Sequence, residues 1–358
     1  MKKLLLSLCG IVILLVLYLL FWPVPIDPAA WNPPEAPALE GVYAVNDRLS
    51  AVERLESGMG SPIEGVAIDS EGYIYGGLKD GRILKFSPEG ENPNVFSEID
   101  SWPLGLDFDA DDNLIVCGGH LGLLSIDREG EVTVLTTEAD GLPFKNVDGM
   151  DIAPDGIIYF SDVSYKYSDA DYMDDLMEHR PNGRLLSYDP DTKETSVVLS
   201  DLYFPNGVAV SRDNDFLLMA EMGAYRVLRV ELVGSNRGEA RVLIDNLPGF
   251  PDGLGSGEHG VFWVTIVSPR DELADSVLFP KPFLRKIVQR LPEALMPKAS
   301  DYAFLLGIDK EGNILYNLQD PAGSYGQITN VLEYEGMLYL GSLSEDAVGR
   351  MPVPESSE

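Results

Sequence analysis

FPNGVAVSRDNDFLLMAEMGAYRVLRVEL, residues 204 to 232, contains the pattern that decides the fold of this chain. A glycine opens a short apolar stretch, an Asp-Asn turn leads into a second apolar stretch, and a third stretch alternates apolar with polar residues. Such short stretches, separated by turn residues, are typical of antiparallel hairpins. Similar phrases recur, among them SPIEGVAIDSEGYIYGGLKDGRILKFSPEG from residue 61 and FPDGLGSGEHGVFWVTIV from residue 250. The pattern predicts a repeat protein built from hairpins.

The repeat period identifies the architecture. The glycines that open successive phrases stand 40, 44, 58 and 46 residues apart, at Gly65, Gly105, Gly149, Gly207 and Gly253. These spacings are close to the length of one four-stranded propeller blade. A sixth phrase begins at Ile328, so we predict an all-β fold, a six-bladed β-propeller over residues 41–354. Residues 41–52 are predicted to supply an outer strand that closes the ring against the last blade.

Two stretches with helical spacing interrupt the β pattern, at about 165–183 and 268–302. We predict that both are helical inserts over one face of the propeller. In the second insert, apolar residues fall near one helical stripe with basic residues between them; they are Phe283, Leu284, Ile287, Val288, Leu291 and Leu295. This insert either packs on its own blade, forms a lid, or touches a membrane.

The N-terminal region predicts a membrane anchor. Residues 4–22 form an uncharged apolar run of about the length that spans a bilayer. The nearest small-residue cleavage site follows a run already long enough to span, so we predict an uncleaved transmembrane signal anchor. Residues 1–3, with Lys2 and Lys3, are predicted to stay in the cytoplasm. A proline-rich, stiff and extended spacer, residues 23–40, then leads to a propeller on the periplasmic, lumenal or extracellular side.

Charge and cysteine content narrow the function classes. The net charge of −32 argues against nucleic-acid binding, because phosphate would be repelled. Such an acidic surface serves solubility and is compatible with a bound divalent cation. The two cysteines, Cys9 and Cys117, are too few for a disulfide framework.

Four side chains that carry oxygen stand just before the first strands of different blades: Glu64, Asp148, Asn206 and Asp252. The first strand of each propeller blade lines the central channel, so these side chains are predicted to converge at one mouth. Three carboxylates and one amide are hard oxygen ligands that suit Ca²⁺. Asp-Gly and Asn-Gly are also ordinary turn dipeptides, but their common phase in the repeat favours a metal site.

His120 ends the apolar strand LIVCGGH of the second blade and is predicted to reach the same mouth. There it would act as a general base beside the metal; a purely structural role is the alternative. The sequence contains no Gly-x-Ser-x-Gly nucleophile elbow and no P-loop.

The phrases PIEGVAID, WPLGLDFD, FPNGVAVS, LPGFPDG and VLEYEGMLYLGSL occur in this order and resemble the strictosidine synthase-like family over roughly residues 45 to 350. That family consists of six-bladed propellers akin to gluconolactonases and paraoxonases, with a membrane-anchored branch in animals. The resemblance implies Ca²⁺ at the channel mouth, where the lactonase and paraoxonase relatives use it to polarise an ester or lactone carbonyl.

The resemblance also implies roles for single residues. Glu64, Asn206 and Asp252 fall on ligand positions of the lactonase and paraoxonase relatives. Asp148 stands where they usually carry asparagine. His120 matches a paraoxonase histidine proposed as a base, although most strictosidine synthase-like members carry tyrosine there.

One departure bears on the reaction. The alkaloid-forming plant enzymes use a glutamate seven residues before the glycine of the last hairpin, and in this chain Thr329 stands there. The disulfide of the plant enzyme is absent as well. We therefore do not expect condensation of an amine with an aldehyde.

These observations predict a membrane-anchored, calcium-dependent hydrolase of small-molecule esters or lactones, similar to arylesterases and lactonases. The metal would polarise the carbonyl and water would attack it. Two alternatives stay open: a non-catalytic propeller scaffold with a structural calcium, and lyase or transferase chemistry of the strictosidine synthase type.

Overall fold

Six four-stranded antiparallel sheets follow one another along the chain in the computed structural model, which describes residues 1–292, 295–296 and 298–355. Each sheet is one blade, so the prediction of an all-β, six-bladed propeller is confirmed. Positions 293, 294 and 297 of the second predicted insert lie outside the described residues.

The strands are given in chain order. The closing strand is β1 (Glu53–Glu56). Blade one contains β2 (Ile63–Ile68), β3 (Ile74–Leu78), β4 (Arg82–Phe86) and β5 (Asn94–Glu98). Blade two contains β6 (Leu106–Phe108), β7 (Leu114–Cys117), β8 (Leu123–Ile126) and β9 (Val132–Thr136). A small hairpin, β10 (Glu138–Ala139) and β11 (Leu142–Pro143), precedes blade three, which contains β12 (Val147–Ile152), β13 (Ile158–Asp162), β14 (Gly183–Asp189) and β15 (Glu194–Leu202).

The second half of the chain repeats the arrangement. Blade four contains β16 (Pro205–Val210), β17 (Phe216–Glu221), β18 (Arg226–Glu231) and β19 (Ala240–Ile244). Blade five contains β20 (Gly249–Ser256), β21 (Phe262–Pro269), β22 (Ala303–Ile308) and β23 (Ile314–Asp320). Blade six contains β24 (Ile328–Tyr334), β25 (Met337–Ser342) and β26 (Ala347–Pro352), and β1 completes it.

Aspartate turns connect strands within several blades. Asp69 Oδ1 accepts hydrogen bonds from the backbone N–H groups of residues 71 and 73, at 3.0 and 2.9 Å. Asp109 and Asp309 accept the equivalent pairs in blades two and five. Gly72 and Gly312 adopt φ values of +86° and +87° in these turns, which glycine reaches without steric cost. The acidic turns of the sequence therefore set the hairpins.

The apolar core lies between neighbouring blades. Leu218 of blade four and Leu306 of blade five, for example, belong to one fully buried cluster. Equivalent clusters join each pair of neighbours around the ring, and Ile63 and Val348 join blade one to blade six. Removing these side chains from water stabilises the ring by about 25 cal/mol per Å² of apolar surface.

The ring closes with a different strand from the one predicted. β1 pairs antiparallel with β26, Glu53 opposite Arg350 and Leu55 opposite Val348. The prediction of a closing strand at 41–52 is wrong, because residues 41–43 form a 3₁₀ turn and Tyr43 packs on the cluster between blades four and five. The N-terminal segment crosses one blade boundary before it enters the sheet of blade six.

Among the described residues, three α-helices accompany the propeller: α1 (Lys2–Phe21), α2 (Tyr172–Glu178) and α3 (Pro282–Val288). α1 is long and apolar enough to cross a membrane, with a mean hydropathy of 3.0 and no buried residue. α2 lies in the first insert, between β13 and β14, and α3 lies in the second, between β21 and β22. Both inserts join the second and third strands of a blade, so they lie on the face where the first strands begin.

The proline-rich segment before the propeller packs on these inserts. Trp31 stacks on His179 with ring centroids 4.2 Å apart, and the backbone N–H of Trp31 donates to the backbone carbonyl of Phe279 at 3.1 Å. Burial lowers the pKa of His179 to about 3, so its ring is neutral in this stack. The segment has no regular secondary structure up to residue 40, and it lies along the inserts.

Candidate functional site at the channel mouth

One position of the repeat forms a ring at the mouth of the channel. Its members stand at the start of the six innermost strands and are Glu64, Leu104, Asp148, Asn206, Asp252 and Thr329. Consecutive blades bring these positions side by side, although the residues are 40 or more positions apart in the chain. The structure therefore places all four predicted ligand residues at the same end of the molecule.

The glycine that follows most ring positions allows the inner strands to approach closely. A Cβ at Gly65 would lie 2.1 Å from the carbonyl oxygen of Leu104, and a Cβ at Gly253 would lie 2.1 Å from that of Thr329. Gly105, at the same position of the next blade, faces the carbonyl of Asp148 in the same way. The glycine repeat in the sequence is thus a packing requirement of the channel wall.

The ring encloses a small cavity. Glu64, Asp148, Asn206 and Thr329 line it, and its volume is about 20 Å³, enough for roughly one water-sized sphere. The neighbours of Asp252, at 253 and 254, complete the lining. The cavity has the size of an ion or a water molecule and not that of an ester.

The three carboxyl groups at the mouth act on one another electrostatically. Burial raises the pKa of Glu64 well above its usual value, and the negative charges of Asp148 and Asp252 raise it further, while Lys79 opposes them. Burial raises the pKa of Asp148 to about 7, helped by the charge of Asp169. Burial and the charge of Asp148 raise the pKa of Asp252. The mouth therefore concentrates negative charge that a cation would neutralise.

Polar atoms at the mouth lack partners among the described residues. Glu64 Oε2 and Thr329 Oγ1 are buried and accept or donate no hydrogen bond there. Asn206 Nδ2 reaches Asp148 Oδ2 only at 3.4 Å. A buried carboxylate oxygen without a partner is costly, so the donor set fits an oxygen-coordinated ion such as Ca²⁺.

The acidic side chains of the ring lie farther apart than the ligands of one bound metal ion do. Within residues 1–292, 295–296 and 298–355, no three His, Cys, Asp or Glu side chains come close enough together to ligate a metal. The chemistry of the four ring residues suits Ca²⁺, whereas their side chains would have to draw together around it.

His120 lies beside this mouth and contacts a carboxylate that sequence reasoning missed. Its Nδ1 is 2.9 Å from Asp169 Oδ1, and Ser101 Oγ lies 3.1 Å from the same nitrogen. Ser101 also donates to Asp169 Oδ2 at 3.2 Å. Gly119 and Val147, the residues directly before His120 and Asp148, pair with each other, so the His–Asp pair adjoins the acidic ring. Asp169 lies in an acidic insert, where nothing in the sequence distinguishes it from its neighbours.

An apolar cluster flanks the acidic ring. Tyr172 and Leu176 of the first insert pack with Phe204, Phe250 and Val267 from blades four and five. Burial raises the pKa of Tyr172, and the charges of Glu64 and Asp252 raise it further. The first insert thus brings apolar side chains to the end of the molecule that carries the acidic ring.

A second acidic pair lies deeper in the channel. Asp107 and Asp151 stand three positions after the ring in neighbouring blades. Burial raises the pKa of Asp107 to about 6. Burial and the charge of Asp107 raise the pKa of Asp151 to about 8. Asp151 accepts a hydrogen bond from the backbone N–H of Val210 at 2.6 Å.

The sequence has relatives in plants and animals. Residues 41–86 match the family described as "Strictosidine synthase-like, N-terminal", and residues 148–235 match the family described as "Strictosidine synthase". The chain is 34% identical to protein STRICTOSIDINE SYNTHASE-LIKE 6 of Arabidopsis thaliana, across 86% of this chain and 83% of that protein. It is 31% identical to adipocyte plasma membrane-associated protein of Salmo salar, across 93% of this chain and 85% of that protein.

Solved structures share the fold. A gluconolactonase from Xanthomonas campestris superposes with a TM-score of 0.62 at 18% identity, covering 92% of this chain and 98% of that one. Regucalcin from Agrobacterium tumefaciens, a calcium-binding protein, superposes with a TM-score of 0.60 at 15% identity, covering 84% and 93%. At these identities the likeness establishes the propeller architecture alone.

Proposed function

This chain belongs to the strictosidine synthase-like family, and we propose that it is a calcium-dependent hydrolase of small-molecule esters or lactones. One observation carries the proposal: a buried carboxylate oxygen of Glu64 has no partner in the described part of the chain, and it lies in an acidic channel mouth that the His120–Asp169 pair adjoins. Carboxyl groups without a neutralising cation, next to a histidine–carboxylate pair, suit metal-assisted hydrolysis.

Glu64, Asp148, Asn206 and Asp252 would hold the ion. When bound, Ca²⁺ supplies a Lewis acid that polarises a carbonyl and stabilises negative charge on its oxygen. The four residues bring the ligand oxygens from four different blades, so their convergence depends on the closed ring. Asp148 adds a charge at a position where lactonase and paraoxonase relatives usually carry asparagine.

His120 would activate the attacking water. Its Nδ1 faces the carboxylate of Asp169, which can only accept, so the proton of the neutral ring sits on Nδ1 and Nε2 is left free to accept one. Asp169 would orient the ring and stabilise the imidazolium that forms. The side chain of His120 is 46% exposed, so water can reach it.

The substrate must displace part of the first insert. A cavity of about 20 Å³ does not admit an ester, and Tyr172 of the first insert packs on the apolar cluster that flanks the mouth. We therefore expect α2 and its aromatic side chain to move when substrate binds. The apolar cluster around Tyr172 would then contact the apolar part of the substrate.

Condensation of an amine with an aldehyde does not suit this site. Thr329 occupies the ring position of blade six, where the alkaloid-forming enzymes place a catalytic glutamate, and its hydroxyl group cannot serve as a carboxylate acid–base group. Other lyase or transferase reactions that use the same ion stay an alternative.

The small cavity also favours a second candidate function, a non-catalytic scaffold in which the ion only links the blades. An ion between four blades would stabilise the ring by mass action without any turnover. This candidate predicts stabilisation by calcium together with no hydrolysis of any ester.

The chain is also proposed to be a single-pass membrane protein. α1 would span the bilayer, Lys2 and Lys3 would keep the N-terminus cytoplasmic, and the propeller would lie on the periplasmic, lumenal or extracellular side. The similarity to adipocyte plasma membrane-associated protein supports anchoring.

Hydrolysis of phenyl acetate and of a simple γ-lactone by the full-length chain in detergent tests the function. We expect turnover that a calcium chelator abolishes and added Ca²⁺ restores. His120→Ala should remove turnover without a change in thermal stability, whereas the exposed His259→Ala serves as the matched control. Turnover that persists in the chelator, or in His120→Ala, would contradict the mechanism.

A further inference from the structure

The end of α1 is bound to the second insert. Arg290 donates from Nε to the carbonyl oxygen of Trp22 at 2.6 Å and from Nη1 to that of Leu19 at 2.9 Å. The last carbonyls of a helix have no partner within the helix, so this arginine satisfies two of them. The helix therefore ends on the insert, on the face of the propeller where the channel opens.

The segment after α1 is held along the same face. The guanidinium group of Arg285, which is fully buried, donates to the carbonyl oxygen of Ala29. Arg180 of the first insert pairs with Asp27 at 2.9 Å. These contacts tie the segment to both inserts, so it cannot act as a free tether between α1 and the propeller.

The second insert presents apolar side chains to solvent. Leu273, Phe283 and Leu295 are 56%, 53% and 66% exposed. Lys281 and Lys298 of the same insert are exposed, whereas Arg285 and Arg290 are buried in the contacts described above. Exposed apolar side chains next to basic ones are the composition of segments that lie in a membrane interface.

We propose that this insert surface, defined by Leu273, Lys281, Phe283 and Leu295, rests in the headgroup region of the bilayer that holds α1. The channel mouth then faces the membrane, and an amphipathic ester reaches it from the bilayer. The occupant is a lipid surface because the apolar helix α1 ends against the same insert and because the insert exposes large apolar side chains. This inference rests on the proposed membrane anchor, and its substrate class rests on the proposed hydrolase.

A site-specific fluorophore tests the surface without any activity measurement. Cys117 is fully buried, so a Cys9→Ala chain with Phe283→Cys can be labelled at one position with an environment-sensitive dye. The full-length chain is reconstituted into phosphatidylcholine vesicles, with and without phosphatidylserine. His259→Cys, in the hairpin between the first and second strands of blade five, is the matched control because that hairpin lies at the opposite end of the channel.

We expect the dye at 283 to shift to the blue and to be quenched by a lipid-borne quencher, more strongly with phosphatidylserine. The dye at 259 should respond only to a water-soluble quencher. Equal exposure of both dyes to the water-soluble quencher would overturn the membrane-facing arrangement, whatever the enzyme does.

Activity then tests the delivery of substrate. Leu273→Ser with Phe283→Ser should lower the turnover of a long-chain ester dissolved in the vesicles several-fold, with little change for soluble phenyl acetate. Equal rates on both esters would overturn delivery from the bilayer. If the unmodified chain hydrolyses neither ester, the proposed hydrolase is wrong. The dye experiment would still decide whether the insert surface contacts the membrane.

Discussion

His120 Nδ1 and Asp169 Oδ1 lie 2.9 Å apart, although the two residues are 49 positions apart in the chain and belong to neighbouring blades. His120 follows the second strand of blade two, and Asp169 follows the second strand of blade three. Loops of this class all emerge at the channel mouth, so the ring symmetry creates the contact. In the proposed mechanism, this pair would supply the oriented base that the acidic ring lacks.

Asp169→Asn tests whether this pair orients the base. The amide can present its NH₂ group to Nδ1, which moves the ring proton to Nε2 and removes the free acceptor. We expect turnover to fall about 100-fold or more, the range of general-base catalysis, with little change in stability. Asp171→Asn, an exposed neighbour in the same turn, is the control, and an unchanged rate in Asp169→Asn would refute the orienting role.

The substitution Glu64→Gln should stabilise the protein without calcium and make it less stable than the unmodified chain with calcium. Without calcium, in mildly alkaline buffer, the variant removes one of three mutually repelling carboxylates and should raise the free energy of unfolding by about 1 kcal/mol. With calcium at 100 times its Kd, the unmodified chain should gain about 2.7 kcal/mol, and the variant far less. Thermal unfolding with and without a chelator measures both. Glu71→Gln, in the hairpin at the far end of the same blade, should show neither effect.

Stability should fall as pH rises through the titration of the acidic pair deep in the channel. Asp151 has a pKa of about 8 in the folded protein and 3.8 as the ordinary value, so the folded state holds the proton more tightly. The contribution of Asp151 to the free energy of unfolding is therefore greatest below about pH 4 and declines as the pH rises to about 8. Asp151→Asn should flatten this decline and stabilise the alkaline protein by about 1–2 kcal/mol. Parallel pH curves for the two proteins would show that Asp151 does not titrate this way.

Gly253→Ala should destabilise the ring through steric overlap. Its Cβ would lie 2.1 Å from the carbonyl oxygen of Thr329 in the next blade. We expect a loss of about 2–4 kcal/mol, as for other changes that overpack a core. Gly141→Ala has open space around it but a φ of +75°, so it should cost only about 1 kcal/mol. Chemical denaturation measures both, and equal losses would exclude close approach as the cause.

The segment from 22 to 56 shows where prediction from the sequence failed. A proline-rich stretch reads as a stiff spacer because nothing local predicts a partner for Trp31 or Asp27. Their partners, His179 and Arg180, are about 150 positions away. The sequence predicts the closing strand at 41–52 and not at Glu53–Glu56 for a related reason, since only pairing with β26 marks Glu53–Glu56 as a strand.

The sequence by itself determined the repeated units of this protein. The recurrence of glycines, acidic turns and short apolar stretches specifies hairpins. Its period matches one four-stranded blade, and its six copies give six blades. The sequence determines these units because they depend on residues close together in the chain. The tertiary structure alone decided which distant groups meet, such as His120 with Asp169 and Arg290 with the end of α1. Such contacts depend on the closure of the ring and the path of its inserts, which no local pattern encodes.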